Sequence, residues 1–183
     1  MTGPSEADIA QFLKAADWAD GTRVPLAGDA SSRSYERLEK PGKTALLMKD
    51  PSTETVEQFL KVTRILQKDS YSAPEILAED PERGLVLLED FGDRLFVRLI
   101  EGGADETILY RLAVDFLIDL TRQRLPDGLP YFSESYVLDQ NTMFLDWYIP
   151  SATGKKVTWE ARLFYQQIWR ELLKSQGSME EVL

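Results

Sequence analysis

The spacing of the apolar residues changes once along this chain, near residue 90. Before that point, short apolar runs separated by turn signals alternate with helical stripes, whereas after residue 93 the apolar residues recur almost wholly at helical spacing. The predicted order is helix, three strands, helix, two strands and then helices. This order predicts an α+β fold, with a sheet-rich front half (residues 1–92) and a helical rear half (residues 93–183).

Turn and capping signals divide the front half into elements. Ser5 and Asp8 form a capping-box pattern at the start of a helix that we expect to end near Gly21. A second helix should follow Pro51, with Ser52 or Thr53 as its cap. Strands are predicted at residues 23–26, 34–39, 44–49, 75–79 and 85–88. Pro41 and Gly42 suit a type II turn, so the second and third strands form a hairpin. The fourth and fifth should form another.

The rear half is predicted to be helical between a few loops. A short helix should precede Gly102, and Asp105 should cap the next helix, which carries apolar residues at positions 108–120. A loop is expected at residues 126–130. Two further helices are predicted at residues 139–149 and 158–175, the second closed by Gly177.

Composition excludes several classes of function. The chain has no histidine and no cysteine, which removes Ser-His-Asp hydrolysis, His- or Cys-ligated zinc and disulfides. The formal net charge of −10 argues against nucleic acid as a partner, since phosphate backbones require a basic surface. The first six residues lack a signal-peptide pattern, and no apolar run approaches the length of a membrane span. We therefore expect a cytoplasmic protein without a membrane partner.

The loop at residues 28–34 combines small residues with hydrogen-bond donors. Small residues let backbone N–H groups approach a phosphate, and Ser31, Ser32 and Arg33 add side-chain donors. The loop is therefore a candidate phosphate-binding segment. A polar hairpin loop without a ligand is the alternative.

Lys49 closes an apolar strand directly before the second helix. In protein kinases a strand lysine holds the α- and β-phosphates of ATP and is oriented by a glutamate of the following helix. Glu57 is the candidate partner here, with Glu54 as the other choice. Lys49 could instead extend into solvent, and either glutamate could serve only helix capping and solubility.

The apolar run Leu85–Leu88 continues directly into a polar connector that contains Gly92. Such a strand-to-connector step is typical of a hinge between two lobes and could offer a flat apolar slot, edged by peptide groups, for adenine. The candidate adenine-site residues are Leu88, Glu89, Asp90 and Phe91. The triplet Asp90-Phe91-Gly92 matches the metal-binding triplet of protein kinases, but no catalytic loop precedes it, so we interpret it as hinge. A strand and its turn would be the simpler interpretation.

Four segments, in this order and at this spacing, resemble the aminoglycoside phosphotransferase family. They are Asp29–Tyr35, Leu46–Pro51, Ser72–Asp80 and Leu87–Asp93. The series is most similar to the bacterial subgroup that phosphorylates the anomeric hydroxyl of N-acetylmuramate and N-acetylglucosamine, and Leu145–Tyr148 also resembles that subgroup.

The resemblance implies a protein-kinase-like fold in which an antiparallel sheet is followed by the first helices of a helical lobe. It implies an ATP-dependent small-molecule kinase of cell-wall recycling, with a sugar site that includes Asp146, Trp147 and Tyr148. In the family a catalytic loop and a later metal-binding aspartate follow, so we expect the general base and the magnesium ligands beyond residue 183. Residues 1–183 alone are then expected to be inactive. A non-catalytic nucleotide-binding or scaffold module, or an α+β interaction domain, is the alternative.

Overall fold

The structure is a computed structural model that describes residues 3–28, 31–124, 129, 131–175 and 181–182. The chain divides into two compact units, residues 1–117 and residues 118–183. A five-stranded antiparallel sheet followed by helices confirms the predicted α+β class. The lobe boundary after residue 92 lies inside the first unit and stays a prediction.

Helix α1 (Glu6–Ala15) begins with the predicted capping box. The backbone N–H of Asp8 donates to Ser5 Oγ at 3.2 Å, and the Ser5 N–H donates back to the Asp8 carboxylate at 3.2 Å. The helix ends well before Gly21 because the backbone turns into the left-handed region at Asp17, where φ is 59°. The Trp18 N–H then bonds to the Leu13 carbonyl and closes the last turn.

Five strands form the sheet of the first unit, in the order β1-β2-β3-β5-β4, with every neighbouring pair antiparallel. Their bounds are β1 Thr22–Pro25, β2 Ser34–Lys40, β3 Lys43–Lys49, β4 Ile76–Asp80 and β5 Leu85–Glu89. Both predicted hairpins are confirmed. Gly42 has a φ of 74°, as the third residue of a type II turn requires, and a 3₁₀ turn at Pro81–Arg83 joins β4 to β5.

Each face of the sheet is covered by one helix. Because successive strand residues point to opposite faces, the buried residues separate into two clusters. One cluster packs against Ile9, Phe12 and Leu13 of α1, and its strand members are Leu38, Ala45, Leu47, Leu85 and Leu87. The other packs against Val56 and Leu60 of α2 (Thr53–Lys68), and its strand members are Met48, Val86 and Leu88. These two surfaces are called the α1 face and the α2 face below.

Helix α2 follows β3 almost directly, as predicted. Ser52 is its cap, since its Oγ accepts the Thr55 N–H at 3.3 Å. After β5 the chain forms α3 (Phe96–Glu101) and α4 (Glu106–Arg122). The side chain of Asp105 accepts the Thr107 N–H at the start of α4. The rings of Tyr71 and Phe116 form a T-shaped pair, with 5.2 Å between the centroids.

Within the part of residues 118–183 that the structure describes, α4 ends and is followed by three helices and a two-stranded ladder. These elements are β6 Tyr131–Phe132, α5 Glu134–Met143, α6 Ile149–Thr153, α7 Trp159–Ser175 and β7 Glu181–Val182, with β6 antiparallel to β7. The helix predicted at residues 158–175 is confirmed as α7. Most of the loop expected at residues 126–130, and Gly177, lie outside the described residues.

The helix predicted at residues 139–149 has different bounds. Helix α5 begins at Glu134 because Ser133 Oγ accepts the Tyr136 N–H at 3.2 Å and so caps an earlier turn. A π-helical turn at Phe144–Tyr148 then joins α5 to α6. Among the described helices, none is long and apolar enough to cross a membrane.

Candidate nucleotide site

Two arginines at and just before one strand carry positive charge on the α2 face of the sheet. Arg33 directly precedes β2 and Arg37 lies within it. Both are separated by two positions from Tyr35, and alternate residues of a strand point to the same face. Since Tyr35 packs against the α2-face cluster, both arginines point to that face as well. The two neighbouring positions of β3 on this face are Leu46 and Met48, which are apolar. Among the described residues of β2 and β3 and the residue just before β2, the cations on this face are therefore Arg33 and Arg37.

Arg33 is held beside α2 by contacts with Asp50 and Phe59, and its side chain also hydrogen-bonds to that of Tyr35. Its Nε donates to Asp50 Oδ2 at 3.1 Å, and its guanidinium lies 5.2 Å from the ring centroid of Phe59. The Arg33 side chain is 23% exposed, whereas that of Asp50 is 3% exposed. The Arg33 side chain thus has a fixed direction while part of it stays exposed.

Asp50 also receives the N–H of Ser52 at 2.9 Å, so it ties β3 to the cap of α2. Burial pushes the pKa of Asp50 upward, but the Ser52 N–H, Thr55 and Arg33 outweigh burial and hold the pKa below its usual value. The carboxylate is therefore ionised at neutral pH. It balances part of the charge of Arg33.

Arg37 connects β2 to the segment that follows β5. Its Nη2 donates to Asp90 Oδ1 at 3.2 Å and to Asp93 Oδ1 at 2.9 Å. Its Nε lies 2.7 Å from Asp90 Oδ2 without the alignment of a hydrogen bond. Asp90 is 3% exposed and also accepts the Gly92 N–H at 2.9 Å. The predicted hinge is thus an ordered connector, fixed by one arginine.

The other predicted adenine-site residues lie at the end of β5. Leu88 is buried in the α2-face cluster, and Phe91 is 56% exposed just beyond the strand. Glu89 belongs to the sheet rather than to the connector. Its N–H donates to the Glu75 carbonyl at 2.9 Å, and its carboxylate accepts the Glu75 N–H at 3.1 Å. Asp90 and Phe91 are therefore the first residues beyond the ladder.

Lys49 does not meet the helix glutamates. Its Nζ lies 2.5 Å from Oε1 of Glu36 on β2, whereas Glu57 is exposed on α2. The physical reason is strand alternation, since Lys49 shares the parity of Ala45 and Leu47 and so lies on the α1 face. The predicted pairing with Glu57 is replaced by a pairing with Glu36. A phosphate-binding role for Lys49 stays a prediction.

Glu36 is the centre of an ion-pair chain on the α1 face. Arg23 Nε lies 2.6 Å from Glu36 Oε2, and Arg23 Nη1 lies 2.6 Å from Glu6 of α1. Hydrogen bonding to Arg23 lowers the pKa of the nearly buried Glu36, and Lys49 adds to that effect against the opposing effect of burial. The chain joins α1 to three strands, which gives Lys49 a structural role.

The loop residues Ser31 and Ser32 are both exposed. The backbone N–H of Arg33 donates to Ser31 Oγ at 3.1 Å, so residues 31–33 form a tight turn closed by the Ser31 side chain. Asp29 and Ala30 of the predicted phosphate loop lie outside the described residues.

The predicted sugar-site residues lie on the π-helical turn of the second unit. Asp146 forms an ion pair with Arg162 of α7. Trp147 is 74% exposed, and the ring of Tyr148 stacks on Phe144 with 5.1 Å between the centroids. The π-helical turn therefore presents two exposed aromatic rings beside a paired carboxylate.

Among the described residues, no group of three or more acidic side chains is placed to hold a metal ion. The donor set on the α2 face, two arginines with their paired carboxylates, fits phosphate groups rather than a cation. We therefore assign no metal ligand to these residues.

Sequence reasoning missed three residues that organise this site: Glu36, Arg37 and Asp50. Parity along β2 offered one usable signal, because it places Arg33 and Arg37 on one face and Glu36 on the other. The sequence offers no comparable signal for Asp90 and Asp93, the two partners of Arg37. They follow it by 53 and 56 residues, and only the packed sheet brings them together.

The fold and the comparisons define a class of protein. An antiparallel five-stranded sheet followed by helices is the α+β arrangement of the kinase-like fold, and the sequence pattern described as "Phosphotransferase enzyme family" matches residues 22–181. The chain belongs to this phosphotransferase family, as the resemblance implied.

Two relatives within this family have the same name. The chain is 34% identical to the N-acetylmuramate/N-acetylglucosamine kinase of Caulobacter vibrioides, over 75% of this chain and 46% of that protein. It is 30% identical to the protein of the same name from Pseudomonas aeruginosa, over 83% of this chain and 45% of that protein. The chain spans about half the length of the curated relatives it matches.

Proposed function

We propose that the protein is a kinase that transfers the γ-phosphate of ATP to a sugar, with the anomeric hydroxyl of N-acetylmuramate and N-acetylglucosamine as the acceptor. The proposed acceptor rests on one observation: the chain is 30–34% identical to two relatives named N-acetylmuramate/N-acetylglucosamine kinase. Family membership over residues 22–181 supports the phosphotransfer chemistry.

The described residues supply the nucleotide side of this reaction. The connector at Asp90 and Phe91 is the proposed place for the adenine edge, beside the apolar surface of Leu88 and Leu46. Ser31, Ser32 and Arg33 are proposed to meet the phosphates, with Lys49 as the second candidate cation. Positioning and electrostatic stabilisation provide nearly all of the catalysis in phosphoryl transfer, so fixed donors of this kind are what the reaction needs.

The second unit is proposed to supply part of the sugar side. Exposed aromatic rings pack well against the apolar face of a sugar ring, and a carboxylate accepts hydrogen bonds from sugar hydroxyls. Trp147, Tyr148 and Asp146 offer these groups on one turn of helix. The general base and the magnesium ligands are proposed to lie outside residues 1–183.

The test uses the full-length protein with ATP, magnesium and each sugar in turn. Phosphorus NMR of the products should show a sugar phosphate whose signal is that of an anomeric phosphate, together with ADP. A phosphate on another hydroxyl would correct the position of transfer only. ATP binding without any sugar phosphate would favour the non-catalytic module.

A further inference from the structure

The described side chains of β3 that point toward α2 do not include a lysine that could bind the phosphates of a nucleotide. A kinase-type strand lysine must point toward the helix whose glutamate orients it. In this chain the β3 positions that point toward α2 are Leu46 and Met48, whereas Lys49 points toward α1 and is paired with Glu36. On β3, therefore, no lysine among the described residues faces α2.

Arg33 stands at the place where such a cation is needed. It emerges beside the exposed Ser31 and Ser32, and its side chain lies across the α2 face at the start of α2. Register places Ser34 opposite Lys49, so Arg33 lies level with the end of β3 on the neighbouring strand. The two cations are close in the sheet but are directed to opposite faces.

The contacts of Arg33 resemble the support that a kinase lysine receives. Asp50 takes the part of the orienting carboxylate through its contact with Nε at 3.1 Å, and the Phe59 ring of α2 lies 5.2 Å from the guanidinium. Arginine suits this task because its planar fork carries several N–H donors, so contacts with Asp50 and with the Tyr35 side chain still leave donors for an oxyanion. The buried, ionised Asp50 keeps the side chain in one direction.

We propose that Arg33, oriented by Asp50 and Phe59, is the cation that binds the phosphates of the nucleotide on the α2 face, in place of a β3 lysine. This inference rests on the proposed nucleotide-dependent function. It assigns to Lys49 the structural role of joining β3 to the Glu36 ion-pair chain.

The experiment measures the affinities of ATP and adenosine for the full-length protein by calorimetry, without acceptor sugar. Arg33→Ala is expected to weaken ATP binding by roughly 10- to 100-fold, the loss of one or two charge-assisted hydrogen bonds, and to leave adenosine affinity unchanged. Arg33→Lys, which keeps the charge and the chain stem, should retain part of the ATP affinity. Arg64→Ala is the matched control, because Arg64 is a 55% exposed arginine of α2 that pairs with the surface Glu79.

Three results would overturn the inference. One is an affinity for ATP, and for adenosine, that is unchanged in both Arg33 variants. Another is an equal loss for ATP and adenosine, which would make Arg33 merely structural. The third is a larger ATP-specific loss in Lys49→Ala than in Arg33→Ala. A failure of the proposed function looks different: the unaltered full-length protein would then either bind neither ATP nor adenosine, or bind ATP and form no sugar phosphate in the NMR assay.

Discussion

Gly84 lies where the turn between β4 and β5 passes the end of β3. Its φ is 71°, its carbonyl accepts the Asp50 N–H at 2.9 Å, and a Cβ placed on it would lie 1.9 Å from the carbonyl oxygen of Asp50. Only glycine fits here, for two separate reasons: the left-handed backbone and the close approach. The same contact positions Asp50, which in turn holds Arg33.

Replacing Gly84 by alanine should therefore be unusually costly. The left-handed conformation costs roughly 1–2 kcal/mol for an alanine, and displacing the Asp50 backbone adds about 1–3 kcal/mol. Gly42→Ala is the matched control, since Gly42 has a φ of 74° with no atom within 4 Å of the added Cβ. Urea unfolding should show a clearly larger loss of unfolding free energy for Gly84→Ala. Equal losses would mean that the close approach at Asp50 has no energetic weight.

At the scale of elements, the connector after β5 depends on Arg37 of β2. Asp90→Asn removes the buried charge that Arg37 contacts, so the peptide groups of residues 90–92 should lose their fixed position. We expect affinity for both adenosine and ATP to fall by about tenfold, since hydrogen bonds to charged groups are worth roughly 1.5–3 kcal/mol.

Asp93→Asn tests whether this effect comes from the buried contact. Asp93 shares the same arginine but is largely exposed, so solvent screens its interaction and the change should be small. Calorimetric titration with both ligands distinguishes the outcomes. Loss of ATP affinity alone in Asp90→Asn would argue that the connector does not bind adenine.

The ion-pair chain on the α1 face ties α1 to the sheet, and its central carboxylate should make stability depend on pH. Glu36→Gln leaves Lys49 without its carboxylate partner and should cost about 1–3 kcal/mol at pH 7. Arg23 lowers the folded-state pKa of Glu36 below 4.5. The stabilisation is thus fully present above the unfolded-state pKa and is lost as pH falls through the folded-state value.

The cost of Glu36→Gln should consequently stay constant from pH 7 to 5 and shrink below pH 4.5. Urea unfolding across this range measures the dependence. Glu79→Gln, which removes an exposed partner of Arg64, is the control and should change stability by less than about 1 kcal/mol. A cost of Glu36→Gln that grows on acidification would contradict the assignment.

Helices, strands and turns could be predicted from the sequence where neighbouring residues define them. Contacts between residues far apart in the sequence could not. The capping box at Ser5, the turn at Gly42 and the cap at Ser52 are local signals, and each is confirmed. The direction of Lys49 was not predictable in the same way. Strand β3 is apolar on both faces, so alternation along it does not reveal which face receives α2. That choice depends on how the whole sheet packs.

At the scale of the whole molecule, the net charge of −10 bears on the choice of acceptor. An acidic surface attracts a polycation such as an aminoglycoside by long-range steering. At physiological salt, however, screening limits this field to about 8 Å. Contacts inside the site therefore decide the acceptor, and the exposed rings of Trp147 and Tyr148 beside Asp146 suit a sugar face.

We accordingly expect the full-length protein to prefer an uncharged or acidic amino sugar to a cationic acceptor. A competition assay offers N-acetylmuramate, N-acetylglucosamine, choline and kanamycin at equal concentration and ranks them by kcat/KM. Both N-acetyl sugars should lead, because stacking on an aromatic ring needs no positive charge, and the ion pair of Asp146 with Arg162 offsets the negative charge that would attract a cation. Trp147→Ala should raise the KM for the preferred sugar by roughly tenfold, the loss of about 1.4 kcal/mol, with the KM for ATP unaffected. Preference for kanamycin or choline would refute the sugar assignment and leave the family membership intact, because that membership rests on residues 22–181 and not on the acceptor.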